Sequence, residues 1–417
     1  MKRKILALLA VFLCVFACSC TETANPAETL GYGDTEANLT DTQSNTASDT
    51  ETQPVDTDSE AEPDLPATEE KVNIVMVGDI LMHDPILQYG KTEDGYSFDH
   101  LFENVKGDIE KADIAMLNQE VIIAGEKYGI QGYPRFNSPF ELADAIADAG
   151  FDVACHATNH TLDCGADAMR ACLEYWETEH PDITVIGMQD NSADASSICI
   201  IEKNGIKIAM LNYTYYAINY AGEPAIKKEP YLVNRLIEDE VRADIAAAEE
   251  YADFTVVSVH WGDEYSHTPS SEQRAWASVF LEGGVDLVLG THPHVLQPVE
   301  WLEGTDGDKM LVYWSLGNFV NSTAEEGSGI GDRMLGAMAD VTVERGVDGK
   351  VRITEAKAIP LITHIEFKKF GITTYKFSDY TEAQLSQSEA VKKDAALTFD
   401  YAEKHFSDML GSFIALP

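Results

Sequence analysis

The chain has 417 residues and a formal net charge of −42, because 71 Asp and Glu outnumber 29 Lys and Arg. A charge of this sign argues against a nucleic-acid partner, which needs a basic face, and against binding a polyanion without help from cations. Hydrophobic residues make up 45% of the chain, which is enough for one large domain with a full core.

The first twenty residues are typical of a secretory signal. Three cations precede an apolar stretch in MKRKILALLAVFLCVFA, and small residues and cysteines follow. Residues 15–18, VFAC, resemble the lipobox of bacterial lipoproteins, so we predict a lipoprotein signal peptide over residues 1–20. Cys18 is the preferred lipidation site and Cys20 the alternative. This predicts an exported protein on the extracellular face of the bacterial membrane, held by a lipid anchor; an uncleaved anchor is the other interpretation.

Residues 21–70 form an acidic segment rich in Thr and Ser. They contain fourteen Asp or Glu and no Lys or Arg, so they cannot bury enough apolar surface to fold. We predict a disordered tether that its negative charge keeps extended, either as a stalk through the cell wall or as a solvated spacer. The folded domain is then expected over residues 71–375, followed by a helical extension over 376–417.

The folded part contains four of the seven cysteines. It has no C-x-x-C motif, so a cysteine zinc site is not expected. Scattered cysteines in a domain of this size are more often small core residues, and we predict no disulfide. They are Cys155, Cys164, Cys172 and Cys199.

Five apolar runs each end in residues that can bind a metal. Each run has the length and β-branched content of a buried strand, and amphipathic helical stretches fill most of the gaps. This alternation predicts an α/β fold with much parallel pairing, in which sites form beyond the carboxyl ends of strands. The runs are VNIVMVGD ending at Asp79, ADIAMLNQE with Asn118 and Glu120, FDVACHATNH with Asn159 and His160, FTVVSVHWG with His260, and VDLVLGTHPH with His292 and His294.

The last of these runs ends in two histidines separated by one proline. An extended backbone would place His292 and His294 on the same side, with Pro293 restricting φ between them. That arrangement suits a metal ion, whereas a polar turn after a buried strand is the alternative for this motif alone. Together the five strand ends offer carboxylates, amide oxygens and imidazoles, which suit Mn, Zn or Fe. We predict divalent metal binding, with enough donors for two ions.

Six motifs carry a family resemblance. In order they are VGDILMH, LNQE, ATNHTLDCG, VHWGDEY, GTHPHVLQPVE and VYWSLGNFV, and they span about residues 72–320. As a set they resemble the CapA proteins, which are associated with poly-γ-glutamate capsule synthesis and belong to the calcineurin-like metallophosphoesterase superfamily. The resemblance implies a metallophosphoesterase-like four-layer α/β/β/α sandwich, in which two sheets face each other and the metal site lies at one edge.

The resemblance also implies roles for single residues. His160 would act as proton donor or oxyanion stabiliser. Asp163, three residues later, could orient its imidazole, or could be an acid at a helix N-terminus. The implied ligands are Asp79 and His294 for one ion, Asn159, His260 and His292 for the other, and Glu120 as the carboxylate between them.

Some positions depart from the superfamily pattern. The first motif there is Asp-x-His, but here the next histidine is His83, four residues after Asp79, where it could reach a metal or bind substrate. Residues 118–120, Asn-Gln-Glu, replace Gly-Asp-x-x-Asp, which leaves Asn118 as a further metal or substrate residue. Thr158 stands where the superfamily has glycine before Asn-His. These differences leave the occupancy of two metal sites open.

Five other residues are secondary candidates, each with a plainer alternative. Asp263 and Glu264 could shape substrate access or be exposed acids. His156 is expected behind the ligands or at the surface. Asn318 could belong to the site or to a turn. Arg135 is the nearest candidate for holding a substrate phosphate.

Two functions are consistent with this pattern. In the first, cations activate water for attack on a phosphoester, and protonated His160 neutralises the leaving oxygen. In the second, which the resemblance implies, the chain is an accessory or polymer-binding subunit beside membrane-bound capsule synthesis or export subunits. Its metal site then either binds γ-glutamyl carboxylates without catalysis or cleaves an amide. The substrate is accordingly an anionic polymer or a phosphoester.

The C-terminal part begins with a predicted β-hairpin. The segments MLGAMADVTVE and KVRITEAKAIPLI are joined through RGVDGK, whose Asp-Gly pair indicates a tight turn. We expect this hairpin to complete the second sheet. The extension beyond residue 375 is expected to form two helices, packed on the domain or on a partner.

Overall fold

The computed structural model describes residues 70–192, 198–215, 219, 222–305, 307–322, 327–367 and 371–415. The predicted signal peptide, Cys18, Cys20 and the tether up to residue 69 lie outside these described residues. All described residues belong to one compact unit, Leu65–Pro417. Within the described ranges, no helix is long and apolar enough to cross a membrane.

The strands form two sheets, and their bounds follow in chain order. They are β1 (Lys71–Ile80), β2 (Ile114–Asn118), β3 (Val153–Cys155), β4 (Thr184–Ile186), β5 (Cys199–Lys203), β6 (Ile206–Thr214), β7 (Phe254–His260), β8 (Leu287–Thr291), β9 (Leu296–Glu303), β10 (Lys309–Leu316), β11 (Asn318–Val320), β12 (Leu335–Arg345), β13 (Val351–Glu366) and β14 (Gly371–Lys376).

Most helices lie between these strands, and the last three follow them. They are α1 (Asp84–Tyr89), α2 (Lys106–Ile109), α3 (Glu141–Ala149), α4 (Ala166–Glu179), α5 (Gly222–Lys228), α6 (Glu238–Tyr251), α7 (Ser271–Gly283), α8 (Glu382–Leu385), α9 (Glu389–Lys393) and α10 (Phe399–Leu410).

The first sheet has the order β14-β13-β12-β1-β2-β3-β4, and β11 also pairs with β1. Strands β1 to β4 are parallel to one another. Every residue of β2 and β3 is buried. This explains their uninterrupted apolar sequences, because a parallel strand in the middle of a sheet is covered on both faces.

The second sheet has the order β5-β6-β7-β8-β10-β9. Strands β6, β7 and β8 are parallel, and β10 joins β8 in the same direction. Strands β5 and β9 pair antiparallel at the two edges. The parallel strands therefore end on the same side, where the residues that follow them come together.

The second sheet separates two hydrophobic cores. In β7, Phe254 and Val256 face the core shared with the first sheet, whereas Val257 and Val259 face a core that includes α6 and α7. This alternation follows from the two-residue period of a strand. Helices α3 and α4 contribute buried side chains to the core of the first sheet. The predicted α/β class, with two sheets and flanking helices, is confirmed.

The C-terminal hairpin is confirmed, but its predicted position is wrong. Strands β12 and β13 pair antiparallel, and β12 pairs with β1 of the first sheet from Lys71 opposite Glu344 to Val77 opposite Met338. The other edge of β1 is occupied by β2, and in the second sheet β9 already covers the edge beside β10. The hairpin thus extends the first sheet.

The described residues after β14 contain three α-helices rather than the two expected. The first two, α8 and α9, are short. They are separate helices because Ser388 caps the N-terminus of α9, which begins at Glu389. The third, α10, buries Phe406 and Leu410 in the core of the first sheet. The extension therefore packs on the domain. The four cysteines among the described residues are all free.

Candidate metal centre

Residues from the ends of both sheets meet at one place, which we call the strand-end centre. Asp79 lies near the end of β1, paired with Asn118 at the end of β2. His260 ends β7 and pairs with Thr291 at the end of β8, directly before His292. Parallel pairing thus places the candidate ligands of each sheet side by side. The members are Asp79, Asn118, Glu120, Asn159, His260, His292 and His294.

Asp79 holds the two halves of the centre together. Its Oδ1 accepts a hydrogen bond from Asn118 Nδ2 at 2.8 Å, and its Oδ2 lies 3.0 Å from His294 Nδ1. The backbone N–H of His292 also donates to its Oδ2 at 3.2 Å. Asp79 is completely buried. This carboxylate is therefore fixed by neighbours from both sheets.

Glu120 is the least satisfied side chain in the centre. It is completely buried, and within the described residues neither of its carboxylate oxygens has a hydrogen-bond partner. Its Oε1 lies 3.7 Å from His260 Nε2 and 3.6 Å from His294 Nε2. A buried carboxylate without partners is unfavourable by several kcal/mol unless a cation accompanies it. Glu120 thus lies where a positive charge is required.

Three nitrogen and oxygen donors lie together in the second part of the centre. His260 Nε2 lies 3.0 Å from Asn159 Oδ1 and 3.1 Å from His292 Nδ1. The candidate ligands form two groups, and both contain Glu120. Within each group, the ligand atoms all lie within 4.8 Å of one another. One is Asp79, Glu120 and His294; the other is Glu120, His260 and His292.

The backbone of residues 291–294 differs from the extended geometry predicted for it. Strand β8 ends at Thr291, and His292 and His294 have φ values of 94° and 59°. Left-handed conformations of this kind cost a non-glycine residue about 1–3 kcal/mol. The prediction of a shared extended face is wrong, and each histidine instead belongs to a different ligand group. The strain is consistent with a functional constraint on both rings.

Burial controls the charge of the histidines at the second group. It lowers the pKa values of His260 and His292 well below the usual range, and neighbouring histidines lower them further. Both imidazoles are therefore neutral and carry the lone pairs that metal ligands need.

The carboxylates of Glu120 and Asp79 raise the pKa of His294 rather than lower it. Burial opposes its charge, but Glu120 and Asp79 raise its pKa to about 9. Burial also raises the pKa of Glu120 well above its usual range. Both pKa shifts reflect the excess of buried negative charge at this place, which a cation would neutralise.

His160 and Asp163 form a separate pair beside the centre. His160 Nδ1 lies 2.6 Å from Asp163 Oδ2, which also accepts the backbone N–H of Phe136 at 2.8 Å. The Phe136 ring packs edge-on against the imidazole at a centroid distance of 4.8 Å. Asp163 is completely buried, and His160 is largely buried. This pair fixes the imidazole through Nδ1 and leaves Nε2 for another partner.

His83 is brought near Phe136 but into neither ligand group. Its ring lies 5.4 Å from that of Phe136, and its buried Nδ1 has no hydrogen-bond partner among the described residues. Burial lowers its pKa to about 4, so it is neutral. Asn118 lies within the centre, where its Nδ2 is also 3.4 Å from His260 Nδ1.

The secondary candidates occupy different environments. Asn318 contacts the centre, because its Oδ1 lies 3.1 Å from His294 Nδ1. His156 is a core residue whose Nε2 accepts a hydrogen bond from Trp176 Nε1 at 3.1 Å, which excludes the surface alternative and leaves a position behind the ligands. The side chains of Asp263, Glu264 and Arg135 are exposed.

Two residues near the centre were not predicted from the sequence. The Tyr215 ring lies 4.7 Å from that of His292, and Asn219 Nδ2 lies 3.5 Å from His160 Nε2. Tyr215 directly follows β6, so the apolar run KIAMLNYTY had the same signal as the five runs that were recognised. Asn219 follows no strand directly, and nothing local distinguishes it.

Comparison with known proteins gives one family match and several relatives. A family model described as "Bacterial capsule synthesis protein PGA_cap" matches residues 73–323. The chain is 30% identical over 260 residues to "Capsule biosynthesis protein CapA" of Bacillus anthracis, covering 60% of each protein. It is 30% identical over 247 residues to "PGA biosynthesis protein CapA" of Bacillus subtilis (strain 168), covering 58% of this chain and 62% of the relative. The chain thus matches about 60% of the length of these relatives.

Two solved structures are also similar. Haemophilus influenzae NAD nucleotidase (NadN) has a TM-score of 0.41 and 12% identity, covering 83% of this chain and 64% of that chain. Purple acid phosphatase PPD1 from yellow lupin (Lupinus luteus) seeds has a TM-score of 0.35 and 9% identity, covering 75% of this chain and 55% of that chain.

Proposed function

This chain belongs to the bacterial capsule synthesis protein family PGA_cap, and from that premise we propose that it acts in the synthesis or export of a poly-γ-glutamate capsule. The family membership confirms the resemblance to CapA seen in the sequence. Relatives named for capsule and PGA biosynthesis support the role. The proposed activity is metal-dependent hydrolysis at the strand-end centre.

The observation that carries the proposed activity is the environment of Glu120. Its buried carboxylate belongs to both ligand groups, and its oxygens have no other partner within the described residues. Three imidazoles, an amide oxygen and two carboxylates make a donor set that fits Mn, Zn or Fe. Asp79 and His294 would hold one ion, His260, His292 and Asn159 a second, and Glu120 would lie between them.

Divalent cations, when bound, supply positive charge and Lewis acidity that activate water and polarise the bond to be broken. The protein's own contribution is positioning. Asp163 fixes His160 Nδ1 at 2.6 Å, so the Nε2 of that ring can hold a proton for the leaving group. The substrate is proposed to be a phosphoester or the anionic capsule polymer, whose charge the bound cations would attract into an acidic protein.

We further propose that the protein is exported and held at the outer face of the membrane by lipidated Cys18. The sequence of residues 1–20 and the acidic tether support this location. It places the folded domain beside membrane-bound capsule synthesis or export subunits, the proposed partners.

The activity is tested on the full-length protein by metal analysis and hydrolysis assays. Substrates are a chromogenic phosphomonoester, a phosphodiester and poly-γ-glutamate, and variants are His292→Ala and, as a remote control, His180→Ala. We expect bound metal and turnover in the wild type and the control, whereas His292→Ala should bind about one metal ion per chain fewer and lose turnover. Bound metal without turnover on any substrate would favour the accessory, polymer-binding role; absence of metal would overturn the proposed centre.

The capsule role is tested separately by deleting the gene in its native bacterium. We expect surface poly-γ-glutamate to disappear and to return with a plasmid copy of the gene. Polymer that is unchanged in amount and chain length after deletion would contradict the capsule role, whatever the outcome of the metal assays.

A further inference from the structure

Two histidines and one aspartate form a second group away from the strand-end centre. His267 lies in the loop after β7, Asp332 in the 3-10 turn Gly331–Met334, and His405 on the C-terminal helix α10. One ligand atom from each lies within 4.8 Å of the others. Of the described side chains, none belongs both to this group and to the strand-end centre. We call these three residues the peripheral group.

Hydrogen bonds outside the peripheral group orient two of its members. His267 Nδ1 lies 3.0 Å from the carbonyl oxygen of Leu296, which can only accept, so the proton of the neutral ring is on Nδ1. The Tyr401 hydroxyl donates to Asp332 Oδ1 at 2.6 Å. Metal-binding histidines and carboxylates are typically fixed by outer partners of this kind.

His267 Nε2 and Asp332 Oδ2 face each other and require a cation between them. His267 Nε2 lies 3.2 Å from Asp332 Oδ2, and with Nδ1 already donating, both atoms present lone pairs. Ligand atoms of a tetrahedral zinc ion lie about 3.3 Å apart, so this spacing already suits an ion. A proton on Nε2 is the competing solution, since the hydrogen bond to Asp332 raises the pKa of His267.

His405 distinguishes a metal ion from a proton. Its side chain is 8% exposed, and its buried Nε2 has no hydrogen-bond partner in the part of the chain that the structure describes. The His405 ring lies 4.7 Å from that of His267. A proton shared by His267 and Asp332 leaves His405 unsatisfied, whereas a metal ion can accept a lone pair from all three residues.

We propose that His267, Asp332 and His405 bind a second kind of metal ion, of the zinc class, that fixes α10 to the loops beside the strand-end centre. Two imidazoles and one carboxylate are typical zinc ligands, and a fourth position remains for water. The side chains of His267 and Asp332 are 30% and 13% exposed, so an ion can enter from solvent. Because the three ligands come from distant parts of the chain, the ion stabilises the docking of the C-terminal extension.

The proposal is tested with Zn²⁺ alone, on full-length protein that is first stripped with a chelator, reloaded and desalted. We expect His405→Gln and Asp332→Asn each to bind about one zinc ion per chain fewer than the wild type. His180→Gln is the matched control, because His180 Nε2 lies 2.7 Å from Asp144 Oδ1 in a pair that belongs to no group of three ligands among the described residues. It should keep the wild-type zinc content.

Hydrogen exchange of the wild type provides a second readout that does not depend on a variant folding. We expect zinc to slow amide exchange in α10 of the wild type and to leave it unchanged in His405→Gln. Equal zinc content in the wild type and both variants, or exchange in wild-type α10 that does not respond to zinc, would overturn the proposal.

Discussion

The strand-end centre and the peripheral group use similar side chains but are built differently. In the centre, Asp79, Glu120 and His260 are completely buried and follow parallel strands, so the sheets themselves bring them together. In the peripheral group, His267 and Asp332 are partly exposed, and the third ligand lies on α10. One set of candidate ligands is therefore positioned by the core, whereas the other depends on how the C-terminal extension docks.

A substitution at Glu120 should remove metal from the strand-end centre and leave metal bound at the peripheral group. Glu120→Gln removes the carboxylate that both ligand groups of the centre share, so we expect metal affinity there to fall by more than about 100-fold. The peripheral group should keep its ion. Calorimetric metal titration checks both, and Glu174→Gln, an exposed carboxylate on α4, is the control. Loss of zinc from both regions would break the comparison.

The next effect concerns catalysis rather than metal binding. Asp163→Asn leaves His160 without its charged partner, so we expect kcat on an identified substrate to fall by on the order of 10²–10⁴ while metal content stays constant. Asp167→Asn is the control, because its side chain is 90% exposed. An unchanged kcat would mean that His160 does not take part in catalysis. Loss of metal would mean that Asp163 stabilises the structure of the centre rather than the imidazole of His160.

A third prediction tests whether the core positions the centre. A Cβ at Gly78 would lie 1.9 Å from the carbonyl oxygen of Gly317, a backbone atom that also accepts the N–H of Asp79. We expect Gly78→Ala to lower the free energy of unfolding by about 3 kcal/mol and to weaken metal binding. Gly107→Ala, whose new Cβ would meet no atom within 4 Å outside its own helix backbone and chain neighbours, should change little. Denaturant unfolding measures both, and equal stability of the two variants would contradict this account.

The smallest effect concerns a buried histidine without a carboxylate partner. Burial lowers the pKa of His156 to about 3, below the usual value near 6.5 in the unfolded chain. As the pH falls below about 6.5, the unfolded state therefore binds a proton that the folded state does not, and stability decreases. His156 should account for about 2 kcal/mol lost between pH 6.5 and 5.

His156→Gln tests this linkage, because glutamine can still accept the Trp176 hydrogen bond but does not titrate. We expect the variant to lose about 2 kcal/mol less than the wild type over the same pH range, measured by urea unfolding at both pH values. The same acid loss in both proteins would mean that His156 is not the titrating group.

The sequence allowed much of the centre to be predicted, because its residues follow recognisable strands. Asp79, His260 and His292 each come at the end of an apolar run, and parallel pairing then brings them together without further information. The hairpin between β12 and β13 was also predictable from its turn. Local patterns were sufficient for these elements.

Other features depend on contacts between distant segments. The hairpin of β12 and β13 joins the strand edge that the other strands of both sheets leave free. Its own sequence does not indicate which edge that is. His405 lies 138 positions after His267 in the chain. The two rings come into contact only because α10 docks on the domain. Tyr215 is a different case, since it directly follows an apolar strand of the same kind as the other five.

We propose that the strand-end centre binds divalent metal ions beside Glu120. X-ray diffraction from crystals of the protein, recorded above and below the absorption edge of the metal found in solution, tests it most directly. We expect anomalous peaks beside Glu120, one toward Asp79 and His294 and one toward His260 and His292. Crystals grown with that metal in excess that show no anomalous peak within reach of Glu120 would contradict the account.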